Sequence, residues 1–393
     1  ARAPADSSAT IPPGTKITLP ASEAPLPTSY QTTYTYSAKT QLLNSQIDPR
    51  TQGLIGETIT YGHDALGNPT TTSSSAQTYV GGTVYTNYGQ PSQLTLGASS
   101  NPAWITYSYD DQTRRPTERL ISRTQAPGPE VDDTTYSYDA AGNPLTTVDQ
   151  QSETGNTVND TQCYKYDALA RLSQAWTAKA TCPAQGTDPT AATVSGTAGS
   201  YWQSYSYNAI GDRTQVVDHS TTGGADTTTG YVEGCTTGCN ATGAQPHTLT
   251  KTTGGSNPAD FVYDAAGNLL TRTPTGGGAG QSLTWDDEGH LAQVDTTGSS
   301  PTTTKYVYDA DGNQLIRRDP GKTTLFAGDT EIVVNTGVTP NVLLGAVRTY
   351  SHGGVGSAVA VRSSLPGGGI DYLFADAHGT GTMAMDTTTQ KVS

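Results

Sequence analysis

Tyr136-Ser137-Tyr138-Asp139-Ala140-Ala141-Gly142-Asn143-Pro144-Leu145 is the stretch that decides the fold, because the chain repeats it. The same order of residue types returns as Phe261-Val262-Tyr263-Asp264-Ala265-Ala266-Gly267-Asn268-Leu269 and as Tyr306-Val307-Tyr308-Asp309-Ala310-Asp311-Gly312-Asn313-Gln314-Leu315. Looser copies begin at Tyr61, Tyr164, Tyr205 and Leu283, with His63, Ala170, Asn208 and Trp285 in altered slots. Tyr107-Ser108-Tyr109-Asp110 keeps the front half only, and Val84-Tyr85-Thr86-Asn87 is fainter still. The Asp-equivalent positions fall at 64, 87, 110, 139, 167, 208, 264, 286 and 309, and most steps are 22 to 29 residues. The long step from 208 to 264 reads as an insertion.

Each copy has a physical logic. Aromatics two apart share one face of a strand, since side chains alternate with period 2. The Asp caps a turn through nearby backbone groups and the Gly supplies positive φ. The Leu on the returning strand meets the aromatic face across the hairpin. Tyr suits a wall that is apolar on its ring and wet at its hydroxyl. One hairpin of about 25 residues cannot stand alone, so successive hairpins must pair into a continuous sheet. The expected fold is therefore all-β, a repeat of nine or ten antiparallel hairpins, or roughly 20 strands, in one continuous sheet.

Composition agrees with a tyrosine-built wall. Leu, Ile, Val and Phe number 58 of 393 residues, low enough for disorder to be an option, yet Tyr occurs 22 times against three Phe. No apolar run approaches the ~18 residues of a membrane-spanning helix. A net charge of -14 argues against nucleic acid and anionic membrane surfaces as partners. The first residues, Ala1-Arg2-Ala3-Pro4-Ala5-Asp6, show no apolar signal region. Residues 1–55, rich in Pro, Ala, Ser and Thr, read as an extended arm or linker. Four cysteines, Cys163, Cys182, Cys235 and Cys239, allow three pairings. The local one, Cys163–Cys182 with Cys235–Cys239, closes the shortest loops; disulfides imply an oxidising, extracellular setting.

The recurring Tyr-x-Tyr-Asp-x-x-Gly-Asn motif resembles the YD-repeat, or Rhs-type, family of surface-associated and toxin-carrying proteins. The resemblance covers roughly residues 56–393, with 56–323 as the repeat array. Residues 324–393 look like the stretch that ends such arrays in bacteria, with Leu325-Phe326-Ala327-Gly328-Asp329, Tyr350-Ser351-His352-Gly353-Gly354, Val359-Ala360-Val361-Arg362 and Asp376-Ala377-His378-Gly379-Thr380. The resemblance implies a sheet coiled into a spiral, tube or hollow shell. In toxin members that shell encloses a C-terminal effector released by a self-cleaving aspartyl element. That element would follow the matching region, so no cleaving aspartate is assigned to this chain. Implied partners are other copies, adjoining segments of a longer repeat chain, or an enclosed C-terminal toxin, and the implied location is secreted or on a bacterial cell surface.

Candidate chemistry is thin. Gly321-Lys322-Thr323 lacks the glycine five positions earlier that a phosphate loop requires, where Ile316 stands. Asp309-Ala310-Asp311-Gly312-Asn313 has its glycine in the wrong place for a calcium loop. Asp286-Asp287-Glu288 occupies a turn slot, and the six histidines (63, 219, 247, 290, 352 and 378) are scattered. The sequence therefore suggests no catalytic residue, metal or cofactor, and argues for a structural protein that forms a wall, tube or fibre. The alternative is an adhesin or carbohydrate-binding module (cell-wall carbohydrate as partner), which needs an exposed aromatic patch.

Overall fold

The computed structural model describes residues 25–27, 29–51, 53–125, 128–152, 157–184, 187–194, 199–234, 247–376 and 379–392. Its 28 strands, 4 to 10 residues long, run from Thr33–Tyr36 to Gly381–Asp386 in a single sheet, with no helix among the described residues. Wherever a register is described, each strand pairs antiparallel with its neighbour in the chain. The fold is an all-β repeat of antiparallel hairpins.

The repeat motif forms the turn as its residue types dictate. In the copy at Asp264, the Asp N–H donates to Asn268 O at 2.9 Å and the Gly267 N–H to Asp264 O at 3.2 Å. The Asp264 carboxylate accepts the N–H groups of Ala266 and Asn268 on one oxygen and the Asn268 side-chain amide on the other. Gly267 sits at φ +92°, the left-handed residue of a type I turn closed by a bulge. Tyr263 lies opposite Leu269, and the register slips by one residue just before Tyr263. The same slip recurs before His63, Tyr85, Tyr109, Tyr166, Tyr207 and Trp285.

Fourteen hairpins stand among the described residues where nine or ten were expected, and the difference is instructive. Three lie in the terminal segment, whose first strand, Lys322–Ala327, spans the boundary drawn at residue 323. A fourth, Thr33–Tyr36 with Leu43–Asp48, falls inside the stretch read as an arm. It lacks Asp and Gly at the turn: Ser37 donates to Leu42 O, and Gln41 takes the positive φ of 60°. The fifth, Thr227–Glu233 with Leu249–Gly254, occupies the supposed insertion and carries the usual slip before Glu233. Thr86, not Asn87, fills the Asp slot of the faint copy, since Thr86 N–H bonds Gln90 O.

The chain divides into two compact units, one of Ala1–Asp133, Gln151–Thr157 and Val307–Ser393, the other of Thr134–Gln150 and Val158–Tyr306. Within the first unit, early hairpins share a core with late ones: Leu94, Leu96, Ile105 and Ile121 are buried together with Tyr350, Val359, Phe374 and Met385. A second cluster joins Leu26 and Leu54 to Ile316, Leu325, Ile332 and Val334. The second unit has a small cluster of Cys163, Trp176, Ala178 and Val194, with Cys182 and Trp202 packed on it.

Candidate functional site: a buried polar seam

The polar chemistry of the first unit converges on Glu57, at the start of strand Glu57–His63, and Arg348, in strand Val342–Ser351. Both are almost fully enclosed, and a buried charge must be matched nearby or be very costly. Glu57 Oε1 accepts from Tyr79 OH at 2.7 Å, Ser74 Oγ at 2.8 Å and Arg362 at 3.2 Å. Its Oε2 accepts from Tyr350 OH at 2.5 Å and Arg348 at 3.3 Å. The Tyr79 and Tyr350 rings stack with centroids 3.8 Å apart, and Arg362 donates to both hydroxyls at 3.1 Å.

Arg348 uses the rest of its fork on the N-terminal segment. It donates to Ile55 O, Pro49 O and Tyr30 OH at 3.1, 3.0 and 3.3 Å, and to Thr330 Oγ1 at 3.1 Å. Tyr30 OH in turn donates to Thr330 Oγ1 at 2.8 Å. Burial pushes the Glu57 carboxyl up, but hydrogen bonds from Tyr350, Tyr79 and Ser74 and the Arg362 charge outweigh it and hold the group below its ordinary value. Burial raises the Tyr350 and Tyr79 hydroxyls, which therefore stay protonated and donate.

Two further contacts fasten the same faces. His352 bridges Thr72 Oγ1 (2.8 Å) and Thr83 Oγ1 (2.9 Å), and burial pushes its pKa down to about 4. Gln390, fully buried, accepts the N–H groups of Thr124 and Gln125 at 3.0 Å and donates to Pro102 O at 2.9 Å. The backbone carbonyl of Gln390 receives Arg123 at 2.6 Å. This arrangement can bind chain to chain; its carboxylate and tyrosines are all committed to one another.

The repeat-defining residues do not converge. Tyr136, Tyr138, Asp139, Gly142, Asn143, Tyr263, Asp264, Gly267, Asn268, Tyr306, Tyr308, Asp309, Gly312 and Asn313 sit in separate hairpins, one set per turn. Hydrogen bonds from Asn143 and Asn68 hold the Asp139 and Asp64 carboxyls below their ordinary value. A regularity the sequence did not disclose is a tie between hairpins. The second aromatic of one copy donates to the first carbonyl of the preceding return strand: Tyr109 to Pro91 O, Tyr207 to Leu172 O and Trp285 Nε1 to Leu269 O, each at 2.8 Å. Tyr hydroxyls expected to be wet thus bond neighbours.

Cys163 and Cys182 form a disulfide, whereas Cys235 and Cys239, like His378, lie outside the described residues. Asp286 accepts the Glu288 and His290 N–H groups as a turn residue. Gly321 forms a tight turn between Asp319 and Lys322. His63 stands in an aromatic slot, His219 bonds Ser204 and Asp226, and His247 lies 3.1 Å from Asp212. Among the described residues no group of three or more His, Cys, Asp or Glu is placed to hold a metal, and no helix is long and apolar enough to cross a membrane. A shallow apolar hollow of about 470 Å³ lies among Leu373, Phe374, Gly381 and Met383, with no ionisable group among the described residues that line it.

No family model matches the chain, and no curated protein matches it in sequence. Solved structures match it over most of its length. The TcdB2–TccC3 structure aligns at a TM-score of 0.68 and 18% identity, covering 92% of this chain and 18% of that one. TcdB2–TccC3 without its hypervariable C-terminal region gives 0.69 and 18%, covering 92% and 17%. The Photorhabdus luminescens Tc holotoxin pore, with a TccC3 variant, gives 0.68 and 19%, again covering 92% and 17%. The likeness is one of fold. The chain spans under a fifth of the length of these proteins.

Proposed function

We propose that this chain is a structural wall segment of an extracellular YD-repeat assembly, of the kind that encloses a toxin. The observation that carries this reading is the seam: the most heavily bonded residues, Glu57, Arg348, Arg362, Tyr79 and Tyr350, join early hairpins to late ones and commit the Glu57 carboxylate to holding them together. The fold likeness to proteins of a Tc holotoxin supports the container over a fibre. A disulfide supports an oxidising location. The adhesin reading is weaker, because Tyr36 and Tyr88 alone among the described aromatics are exposed, at 37% and 65%, and a sugar-stacking face needs a contiguous patch.

Electron microscopy of the isolated chain, with a glycan array on the same sample, tests the proposal. Compact particles that bind no glycan are expected. Regular filaments with a one-chain repeat would replace the container by a fibre. Glycan binding lost in Tyr88→Ala would make the chain an adhesin.

A further inference from the structure

Strand Trp202–Tyr207 pairs with Arg213–Asp218, with Ser204 opposite Val217. His219 follows directly, its N–H donating to Trp202 O at 2.8 Å, and its imidazole lies on the Trp202 indole with ring centroids 4.0 Å apart. Ser204 Oγ is 2.6 Å from His219 Nε2, and His219 Nδ1 is 2.8 Å from Asp226 Oδ2. The other Asp226 oxygen accepts the Ser220 N–H at 2.9 Å, which fixes the carboxylate. An ionised carboxylate accepts only, so Nδ1 carries the ring proton and Nε2 is left to accept from the serine hydroxyl. Hydroxyl, imidazole and carboxylate stand in the atom order of a base-activated serine.

Two indole N–H groups lie on the same strand and its neighbour. Trp202 Nε1 and Trp176 Nε1, on directly opposed residues of adjacent strands, are both buried with no acceptor among the described residues. A buried donor without an acceptor is costly, so each indole offers a hydrogen bond that the fold itself leaves unused. His219 and Asp226 keep 19% and 47% of their side-chain surface open, so solvent reaches the relay.

We propose that Ser204 is a nucleophile for small carboxylic esters, with His219 as its general base and Asp226 as the residue that positions the imidazole. Ser204 Oγ bonds to the ester carbonyl carbon while its proton passes to His219 Nε2. The C–O bond to the alcohol then breaks and the alcohol leaves with that proton. Water, deprotonated by His219 Nε2, bonds to the acyl carbon; the C–Oγ bond breaks, the acid is released, and the proton on His219 returns to Ser204 Oγ. This goes beyond the scaffold reading and does not depend on it.

The test is to treat the full, oxidised chain with a fluorophosphonate probe and map the adduct by mass spectrometry. Labelling concentrated on Ser204 is expected. His219→Gln should slow it at least about 100-fold, the usual contribution of a general base. Asp226→Asn should slow it and alter its pH profile, while the thermal melt and the Cys163–Cys182 bridge persist. Labelling scattered over surface hydroxyls, or an unchanged rate in His219→Gln, would overturn the proposal, and the wild-type map decides even if a variant fails to fold.

Discussion

Glu57 carries more consequence than any other side chain of the first unit. Two guanidinium groups and two tyrosine hydroxyls meet on one nearly enclosed carboxylate, so neutralising it takes the counter-charge from Arg362 and leaves Arg348 with Asp48 alone, 3.7 Å away. Breaking one partner of a buried pair typically costs about 3–5 kcal/mol. Glu57→Gln should therefore lower the urea midpoint of the first unit by about that free energy, and an unchanged midpoint would show the network to be incidental. His352 gives a pH test with a definite sign. Its folded pKa is about 4 against an ordinary 6.5, so the unfolded chain takes up the proton first as pH falls. Its stabilisation is complete above pH 6.5 and is lost on the way down to about 4. His352→Gln cannot titrate, so the melting temperatures of the two proteins should run parallel above neutral pH, with wild type falling away faster below it. Parallel curves throughout would mean that the ring is hydrated rather than caged.

The hairpin turn is the element on which the fold rests, and it is also where the sequence speaks most clearly. An Asp whose carboxylate gathers two N–H groups, and a glycine at positive φ, are local requirements that leave a local signature. One exception sharpens the rule. Gly267 stands at φ +92°, while Ala170 fills the same slot at φ +59° with a side chain that disfavours it. Gly267→Ala should destabilise the second unit by about 1 kcal/mol, and Ala170→Gly should stabilise it by a similar amount. Opposite signs in thermal melts are the expected outcome; equal signs would put the cost elsewhere. Hairpins without that signature stayed hidden in the sequence. Ser37 and Gln41 form the turn of the first one, and only the same-face pair Tyr34/Tyr36 could have announced it. The seam was hidden for a different reason. Glu57 and its partners Tyr350 and Arg362 are 293 and 305 residues apart, a pairing that no local period encodes. The Ser204–His219–Asp226 relay, with steps of 15 and 7, likewise appears only once strand register sets the serine beside the imidazole.

For the whole molecule, the two units are held by different means, and that difference can be measured. The first joins early and late hairpins through a core and a charged seam. The second relies on its ladders, its turn carboxylates and a small cluster fastened by the Cys163–Cys182 bridge. That bridge closes a loop with a sequence separation of 19, for which chain entropy predicts about 3 kcal/mol of stabilisation. Reduction should therefore weaken the second unit and leave the first untouched, while Glu57→Gln does the reverse. Hydrogen exchange read by mass spectrometry resolves the two, because peptides report their own segment. Faster exchange confined to strands Val158–Tyr166, Leu172–Ala178 and Trp202–Tyr207 is expected on reduction. Faster exchange confined to Glu57–His63, Thr78–Tyr85 and Val342–Ser351 is expected for the substitution. If either change loosened all of these strands together, the chain would unfold as one cooperative body, and stability would have to be assigned to the continuous sheet rather than to the two separate cores.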